Sequence, residues 1–215
     1  MLIDFRTLFP KYGINPKGVL HIGGNVGEEF PVYMELGINN QIWFEANPEI
    51  YEKLVENISG NGNAIAYNYC VGETDGEIVL HISNNAGQSS SILELGTHKT
   101  AHPEVHYIKD VPVKMIRLDD FFEKKSIEQD LIDPLNAFDF LNIDIQGAEL
   151  MALRGMEDLL HHFKWAYLEV NRAHLYKDCA LVDEIDDYLS TFEFERVETL
   201  WAGNTGWGDA LYIKK

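Results

Sequence analysis

The stretch "VLHIGGNVGEE", residues 19–29, passes from an apolar run into a cluster of small residues. The apolar run is typical of a buried strand, and a sudden group of glycines after it is typical of a tight turn into a helix. Glycine, and nearly as readily asparagine, adopts left-handed backbone geometry and lets a backbone approach a ligand closely. The stretch therefore predicts a strand–turn–helix unit with a ligand-contacting turn, formed by Gly23, Gly24, Asn25 and Gly27.

The same alternation of strand and helix continues along the chain. Strands are predicted at 18–22, 41–45, 64–71, 77–83, 111–118, 137–144 and 165–170, and helices at 27–36, 48–58, 147–163 and 178–192. Strands separated by helices predict a mainly parallel sheet covered on both faces. Two further strands, at 194–201 and 209–214, flank a Gly-rich loop and predict a closing antiparallel hairpin. We expect one doubly wound α/β domain over residues 1–215.

The polar stretch 84–110 has no clear period, and we interpret it as a long functional loop or lid inserted in this domain. His98, His102 and His106 recur in it every four residues, a spacing that could place metal ligands on one helix face. Pro103 interrupts that helix, however, so we predict no metal ligands here.

Composition and charge exclude several function classes. The net charge is −18, from 35 acidic and 17 basic residues, which disfavours binding to a nucleic-acid backbone. No apolar run reaches 18 residues and no basic, apolar leader opens the chain, so neither a membrane span nor export is expected. Cys70 and Cys179 lack the spacing of a zinc site or disulfide framework. They predict reduced thiols in a cytoplasmic protein.

Ligands in open α/β sheets bind at the carboxyl ends of the strands, where the strand order reverses. Glu45 ends the second predicted strand, 18 residues after Gly27. An acid at that distance accepts hydrogen bonds from ribose hydroxyls in nucleotide-binding folds. The spacing G-x-G-x-x-G and a phosphate loop ending in Gly-Lys-Ser/Thr are both absent, which argues against a dinucleotide or triphosphate site.

Carboxylates also follow the later strands. Asp144 ends one strand, and Glu149 lies in the first turn of the helix after it. A capping residue and a helix-dipole partner are the structural alternatives for these two acids. Glu169, at the end of the next strand, and His174, just beyond it, are further candidates for a general base. For His174 the alternative is a surface histidine at a helix entry.

Five segments carry a resemblance to a known family: "VLHIGGNVGEE", "WFEANPEIYEKL", "GQSSSI", "IRLDDFF" and "LNIDIQGAELMALRGM". They occur in the order seen in FkbM-type methyltransferases, which the chain resembles over about residues 18–170. The resemblance implies a class I, Rossmann-like methyltransferase with a seven-stranded sheet whose last strand is antiparallel. It also implies S-adenosylmethionine as cofactor and O-methylation of a hydroxyl on a sugar, glycan or natural-product acceptor. Mg²⁺, which some O-methyltransferases use, is compatible with this resemblance, but we assign no residues as its ligands.

The resemblance also implies roles for individual residues. The glycine-rich turn would hold the methionine and ribose part of the cofactor, and Glu45 the ribose hydroxyls. Cys70 and Val71 would flank the adenine, and Ser89 and Ser90 would lie near the cofactor. Asp144 and Glu149 would line the acceptor side, and with Glu169 and His174 they are the four candidates for the base that the chain itself offers.

One position departs from the family pattern. His21 stands where the family usually has an aspartate, near the ammonium of the methionine part. A neutral histidine accepts a hydrogen bond there, whereas a protonated one repels the ammonium. Glu28 or Glu29 could supply the missing charge.

Two other functions remain open at this point: a nucleotide- or NAD-binding Rossmann enzyme, and a non-catalytic methyltransferase-like binding module. A homodimer and a place within a multidomain enzyme are both compatible with the sequence.

Overall fold

A computed structural model describes residues 2–127 and 137–215. Its strands are β1 (Gly18–Ile22), β2 (Asn40–Phe44), β3 (Ala64–Tyr67), β4 (Cys70–Val71), β5 (Gly76–Ser83), β6 (Tyr107–Ile116), β7 (Phe140–Ile143), β8 (Trp165–Asn171), β9 (Phe194–Trp201) and β10 (Trp207–Lys214). Its helices are α1 (Phe5–Tyr12), α2 (Phe30–Glu35), α3 (Pro48–Ile58), α4 (His98–Ala101), α5 (Leu118–Ile127), α6 (Glu149–Arg154), α7 (Glu157–Leu160) and α8 (Val182–Ser190). Within the described ranges, no helix is both long and apolar enough to cross a membrane.

Seven strands form the central sheet in the order β3-β2-β1-β7-β8-β10-β9. Strands β3, β2, β1, β7 and β8 run parallel, and β10 pairs antiparallel with both β8 and β9. The chain moves outward from β1 in one direction and then returns to its other side with β7, so the strand order reverses between them. The predicted seven-stranded, mainly parallel sheet with a C-terminal antiparallel hairpin is confirmed.

Both faces of the central sheet are buried. Helices α6, α7 and α8 cover one face through a cluster that includes Leu153, Leu160 and Ile185. On the opposite face, α1 places Phe5 against the rings of Tyr33, Phe140 and Tyr167. Because apolar groups cover both sides, all five residues of β1 are buried, as expected of a central parallel strand. Helix α1 is not predicted by the sequence pattern.

A second, three-stranded sheet in the order β4-β6-β5 lies beside the first. It arises because the single strand predicted at 64–71 divides at Asn68. The Asn68 side-chain amide donates to the carbonyl oxygens of Glu45 at 2.8 Å and Ala46 at 3.2 Å. Cys70 and Val71 consequently leave the central sheet and pair with β6 instead.

The single helix predicted at 147–163 is also divided, into α6 and α7. The division falls at Gly155, where an added Cβ would lie 2.0 Å from the carbonyl oxygen of Gly72. The carbonyl oxygen of Gly155 accepts a hydrogen bond from the backbone N–H of Asp119 at 3.1 Å, in place of a hydrogen bond within a continuous helix. This close approach ties α6 to the second sheet.

Candidate active site

A cavity of about 510 Å³ lies at the carboxyl ends of β1, β2, β7 and β8, where the strand order reverses. That volume falls within the range of about 300–1,000 Å³ found for small-molecule sites. The turn after β1, the acid after β2 and the carboxylates after β7 and on β8 all contribute to its lining. The cavity therefore lies at the edge of the sheet where the sequence predicts a ligand site.

The glycine-rich turn curls back over β2. The backbone N–H groups of Gly23 and Gly24 both donate to the carbonyl oxygen of Phe44 at 2.9 Å. Three of its residues have left-handed backbone angles, with φ of +85° at Gly23, +44° at Asn25 and +80° at Gly27. Gly23 and Asn25 line the cavity, whereas Gly24 and Gly27 lie against Leu54 of α3.

Gly23 has a further requirement for glycine. An added Cβ would lie 1.8 Å from the carbonyl oxygen of Asp144, because the turns after β1 and β7 cross at this point. The small residue is thus needed for contact between two parts of the protein. The same contact fixes the distance between the turn after β1 and the carboxylates after β7.

We expect Gly23→Ala to lower the free energy of unfolding by about 2–5 kcal/mol, from the left-handed angle together with the clash. Gly37→Ala is the matched control, since Gly37 has φ +77° but nothing within 4 Å of an added Cβ. Gly37→Ala should lower the free energy of unfolding by only about 1–2 kcal/mol. Urea denaturation measures both, and equal losses would show that the contact with Asp144 is unimportant.

Glu45 joins the turn to the start of α3. One carboxylate oxygen accepts the backbone N–H of Asn25 at 2.8 Å, and the other accepts that of Asn47 at 2.7 Å. Burial raises the pKa of Glu45 to about 7 despite these two bonds. The side chain is therefore a fixed, cavity-lining acid whose charge responds to what binds beside it.

His21 is buried and uncharged. Its ring stacks on Trp43 with centroids 4.4 Å apart, and its Nδ1 lies 3.2 Å from the Tyr33 hydroxyl. Asn142 donates its amide to the same hydroxyl oxygen at 2.7 Å, which leaves the Tyr33 hydrogen for His21 Nδ1. Burial lowers the pKa of His21 to about 3. Of the two expectations for this residue, the neutral histidine is the one that the structure supports.

Two acids line the same cavity as His21. Glu29 lines the cavity, and burial, with a contribution from the charge of Asp144, raises its pKa to about 7. Glu28 also reaches the lining but is exposed. Glu29 is thus the more enclosed of the two acids expected to compensate for His21.

Asp144 and Glu169 are linked through Gln146. The Gln146 amide nitrogen donates to Asp144 at 2.7 Å and to Glu169 at 2.8 Å, while its oxygen accepts the Tyr176 hydroxyl at 2.7 Å. Burial raises the pKa of Asp144, and burial together with the Asp144 charge raises that of Glu169 well above its usual value. The negative charge of each carboxyl group disfavours ionisation of the other, which favours a proton on the pair.

Sequence reasoning missed Gln146. It adopts a left-handed angle, φ +57°, directly before Gly147 at φ +99°. A single glutamine in a turn carries no spacing signal, and its partner Glu169, 23 residues away, meets it only in the folded sheet. The neighbouring Gly147 was the one local sign of a special turn.

Two of the predicted catalytic residues do not line the cavity. Glu149 is buried behind the turn, where its carboxylate accepts the backbone N–H groups of Ile145 at 3.2 Å and Gly147 at 3.0 Å. Burial raises the pKa of Glu149 to about 7. His174 is exposed, with Nδ1 3.0 Å from the carbonyl oxygen of Cys179.

The remaining predicted residues line the cavity from the side of the second sheet: Cys70, Val71, Ser89 and Ser90. The Ser89 hydroxyl accepts a hydrogen bond from the side-chain amide of Asn85 at 2.9 Å. The Ser90 hydroxyl accepts one from the backbone N–H of Ser83 at 3.1 Å. Burial raises the pKa of the Cys70 thiol to about 12, so the thiol is neutral.

The charge of the lining is one-sided. Six carboxylates contribute to it, and none of the described lining residues is Lys or Arg; the acids are Glu28, Glu29, Glu45, Glu104, Asp144 and Glu169. Such a cavity attracts a cation and repels a phosphate. Among the described residues, no group of three or more His, Cys, Asp or Glu side chains has the geometry to hold a metal ion.

Comparison with known proteins gives concordant matches. The model of the methyltransferase FkbM domain matches residues 21–196. The 2-O-methyltransferase NoeI of Sinorhizobium fredii is 25% identical over 182 residues, 81% of this chain and 72% of that protein.

Solved structures match in fold. A SAM-dependent methyltransferase from Aquifex aeolicus has a TM-score of 0.51 at 12% identity, over 100% of this chain and 91% of that one. Magnesium protoporphyrin IX methyltransferase from Synechocystis PCC 6803, solved with bound SAM, also has a TM-score of 0.51, at 10% identity, over 97% and 75% of the two chains.

Proposed function

The chain belongs to the FkbM methyltransferase family, and from that premise we propose that it methylates a hydroxyl oxygen of a sugar or glycan. It is an S-adenosylmethionine-dependent methyltransferase. The observation that carries the proposal is the acidic cavity at the reversal of strand order, with a linked pair of carboxylates at one end. The similarity to a 2-O-methyltransferase supports oxygen as the methylated atom.

The residues present fit this cofactor. S-adenosylmethionine carries a sulfonium and an ammonium group, and when bound it supplies an electrophilic methyl group. A lining with six carboxylates and no described Lys or Arg matches those two positive charges. We assign the cofactor to the end of the cavity formed by Gly23, Asn25, Glu45, Cys70 and Val71.

Glu29 takes the place of the acid that the family usually has at the end of the first strand. His21 cannot serve as that acid, but its neutral ring does not repel an ammonium group either. Glu29 lines the same cavity and gains charge as a cation approaches. Cofactor binding therefore survives the exchange of aspartate for histidine.

This arrangement predicts that cofactor binding releases protons. The raised pKa values of Glu29 and Glu45, both about 7, mean that each acid is partly protonated at neutral pH. A bound cation favours the carboxylate form, lowers both pKa values and displaces the protons. Affinity should therefore rise as pH increases through about 7, by about tenfold between pH 6 and 8.

Calorimetry of S-adenosylmethionine in buffers of different ionisation enthalpy counts the released protons. S-adenosylhomocysteine is the control ligand, because it lacks the sulfonium charge and should show a smaller pH dependence. A dissociation constant that stays unchanged across this pH range would contradict the assignment of Glu29 and Glu45 to the cofactor site.

The chemical step needs the protein to position a hydroxyl and remove its proton. Positioning contributes up to about 7–11 kcal/mol in favourable cases, and a well-placed base contributes about 10²- to 10⁴-fold in rate. We assign the base to Asp144 and the retained proton to Glu169, with Gln146 holding the two carboxyl groups in place. The hydroxyl proton passes to the Asp144 carboxylate as the oxygen attacks.

The two predicted residues outside the cavity receive different assignments. Glu149 positions Asp144 indirectly, since it binds the backbone N–H groups of the turn that follows β7. For His174 we propose no chemical role, because its exposed ring is directed to the Cys179 carbonyl.

Binding of competing cofactors tests the proposed function against its rival. We expect micromolar binding of both S-adenosylmethionine and S-adenosylhomocysteine by calorimetry, and no binding of NAD. The reverse result would favour the dinucleotide enzyme. Cofactor binding without transfer to any acceptor would favour the non-catalytic binding module.

A further inference from the structure

His98 begins α4 at a place where the chain is fixed to the loop after β8. The backbone N–H groups of Gly96 and His98 donate to the Leu175 carbonyl at 2.7 and 3.1 Å, and that of Thr97 donates to the His174 carbonyl at 3.0 Å. An added Cβ at Gly96 would lie 2.4 Å from the same His174 oxygen. Within the stretch interpreted as a lid, this part is firmly docked.

The imidazole of His98 has an unused polar atom. The residue is 5% exposed and lines the cavity, and its ring centroid lies 5.5 Å from that of Tyr176. Its Nδ1 is buried and has no hydrogen-bond partner among the described residues. An unpaired buried nitrogen costs about 1–3 kcal/mol, so native proteins rarely retain one without a reason.

His98 belongs to the acceptor end of the cavity. The proposed cofactor residues lie over β1, β2 and β4, whereas His98 is docked on the loop that follows β8. Its neighbour Tyr176 donates to Gln146, which in turn holds Asp144 and Glu169. His98 therefore lies on the same side of the cavity as the proposed base.

The shape and charge of this end restrict what can enter it. Tyr176 and Trp207 supply aromatic surface, which suits the apolar face of a sugar ring. Glu104 and Asp144 supply carboxylates, and no described Lys or Arg in the lining balances the charge of a ligand phosphate. A phosphorylated sugar, a nucleotide or a uronic acid would meet uncompensated like charge here.

We propose that the sugar ring entering the cavity is uncharged, and that His98 Nδ1 forms a hydrogen bond with one of its hydroxyl groups. This inference rests on the proposed function and narrows its acceptor class. His98 is then an acceptor-binding residue, separate from the base. Burial lowers the pKa of His98, and a neutral ring suits a hydroxyl partner, which can both donate and accept.

The test uses saturation-transfer NMR to measure how sugars bind to the complex of the protein with S-adenosylhomocysteine. The probes are methyl glycosides of common hexoses, deoxyhexoses and N-acetylhexosamines, with hexose phosphates and uronic acids as charged counterparts. We expect a neutral glycoside to bind the wild type and to bind His98→Leu at least about tenfold more weakly. His98→Asn, which retains a polar atom near the Nδ1 position, should lose less.

Two controls accompany these variants. His162→Leu changes an exposed histidine outside the cavity and should leave sugar binding unchanged. Affinity for S-adenosylhomocysteine should be the same in all variants, which also verifies that each one is folded. Equal sugar affinity in wild type and His98→Leu, or binding of charged sugars only, would overturn the inference.

Methyl transfer to the bound glycoside is measured separately. If sugar binding depends on His98 but no methyl group is transferred, the proposed function is contradicted and the binding role of His98 is supported. If methyl transfer to a sugar is observed and His98→Leu binds that sugar as tightly as the wild type, the proposed function is supported and the role of His98 is contradicted. If no neutral glycoside binds the wild type, the uncharged-sugar class is wrong.

Discussion

Replacing Glu45 with alanine should weaken S-adenosylmethionine binding by at least about 100-fold, since charge-assisted hydrogen bonds contribute about 1.5–3 kcal/mol each. The substitution removes the acceptor for the backbone N–H groups of both Asn25 and Asn47. It also removes a carboxylate from the part of the cavity assigned to the cofactor. Loss of the preformed turn and loss of the ligand contact therefore act in the same direction.

Calorimetry with S-adenosylhomocysteine measures this effect without turnover. Glu49→Ala is the matched control: Glu49 lies four residues away at the start of α3, is exposed, and pairs with Lys109 at 2.8 Å. It should bind the cofactor like the wild type. A dissociation constant for Glu45→Ala within about threefold of wild type, well under 1.4 kcal/mol, would place the cofactor elsewhere.

Asp144→Asn should lower kcat by about 10²- to 10⁴-fold, the usual contribution of a positioned base. Asparagine keeps an oxygen that can accept the Gln146 amide, so the turn should hold its shape. It cannot take up the hydroxyl proton. Affinity for S-adenosylhomocysteine should stay within a few-fold of wild type, which separates loss of chemistry from loss of binding.

Glu169→Gln is the paired variant for this assignment. Because we assign the retained proton to Glu169, a neutral amide in its place resembles the resting state. We expect kcat to fall by less than about tenfold, the equivalent of 1.36 kcal/mol. A larger loss in Glu169→Gln than in Asp144→Asn would exchange the roles of the two acids.

The parts of the fold that could be predicted are those encoded within short windows. The apolar run of β1, its glycine-rich turn and the acid after β2 follow from residues close together in the chain. The final hairpin is equally local, since a Gly-rich loop joins two strands of matching length. Once parallel strands are inferred, the common location of their carboxyl ends fixes the edge that carries the site.

The parts that could not be predicted depend on contacts between distant residues. Asn68 divides a predicted strand through bonds to carbonyls 22 and 23 residues away. Gln146 meets Glu169 across 23 residues, and His98 is placed by carbonyls of the loop after β8. Glu149 is a different case. Its position in the first turn of a helix after a strand suggested an acid that lines the cavity, but its hydrogen bonds to two backbone N–H groups direct its side chain away from the cavity.

We propose that this acidic cavity transfers a methyl group from S-adenosylmethionine to a sugar hydroxyl. The most direct test of this proposal is incubation with cofactor bearing an isotope-labelled methyl group and the neutral glycosides, followed by NMR to identify the atom that receives the label. We expect a labelled methyl on a ring hydroxyl oxygen with the wild type, and about 10²- to 10⁴-fold slower labelling with Asp144→Asn. Bound cofactor with no labelled sugar, or label on nitrogen or carbon, would contradict the proposal.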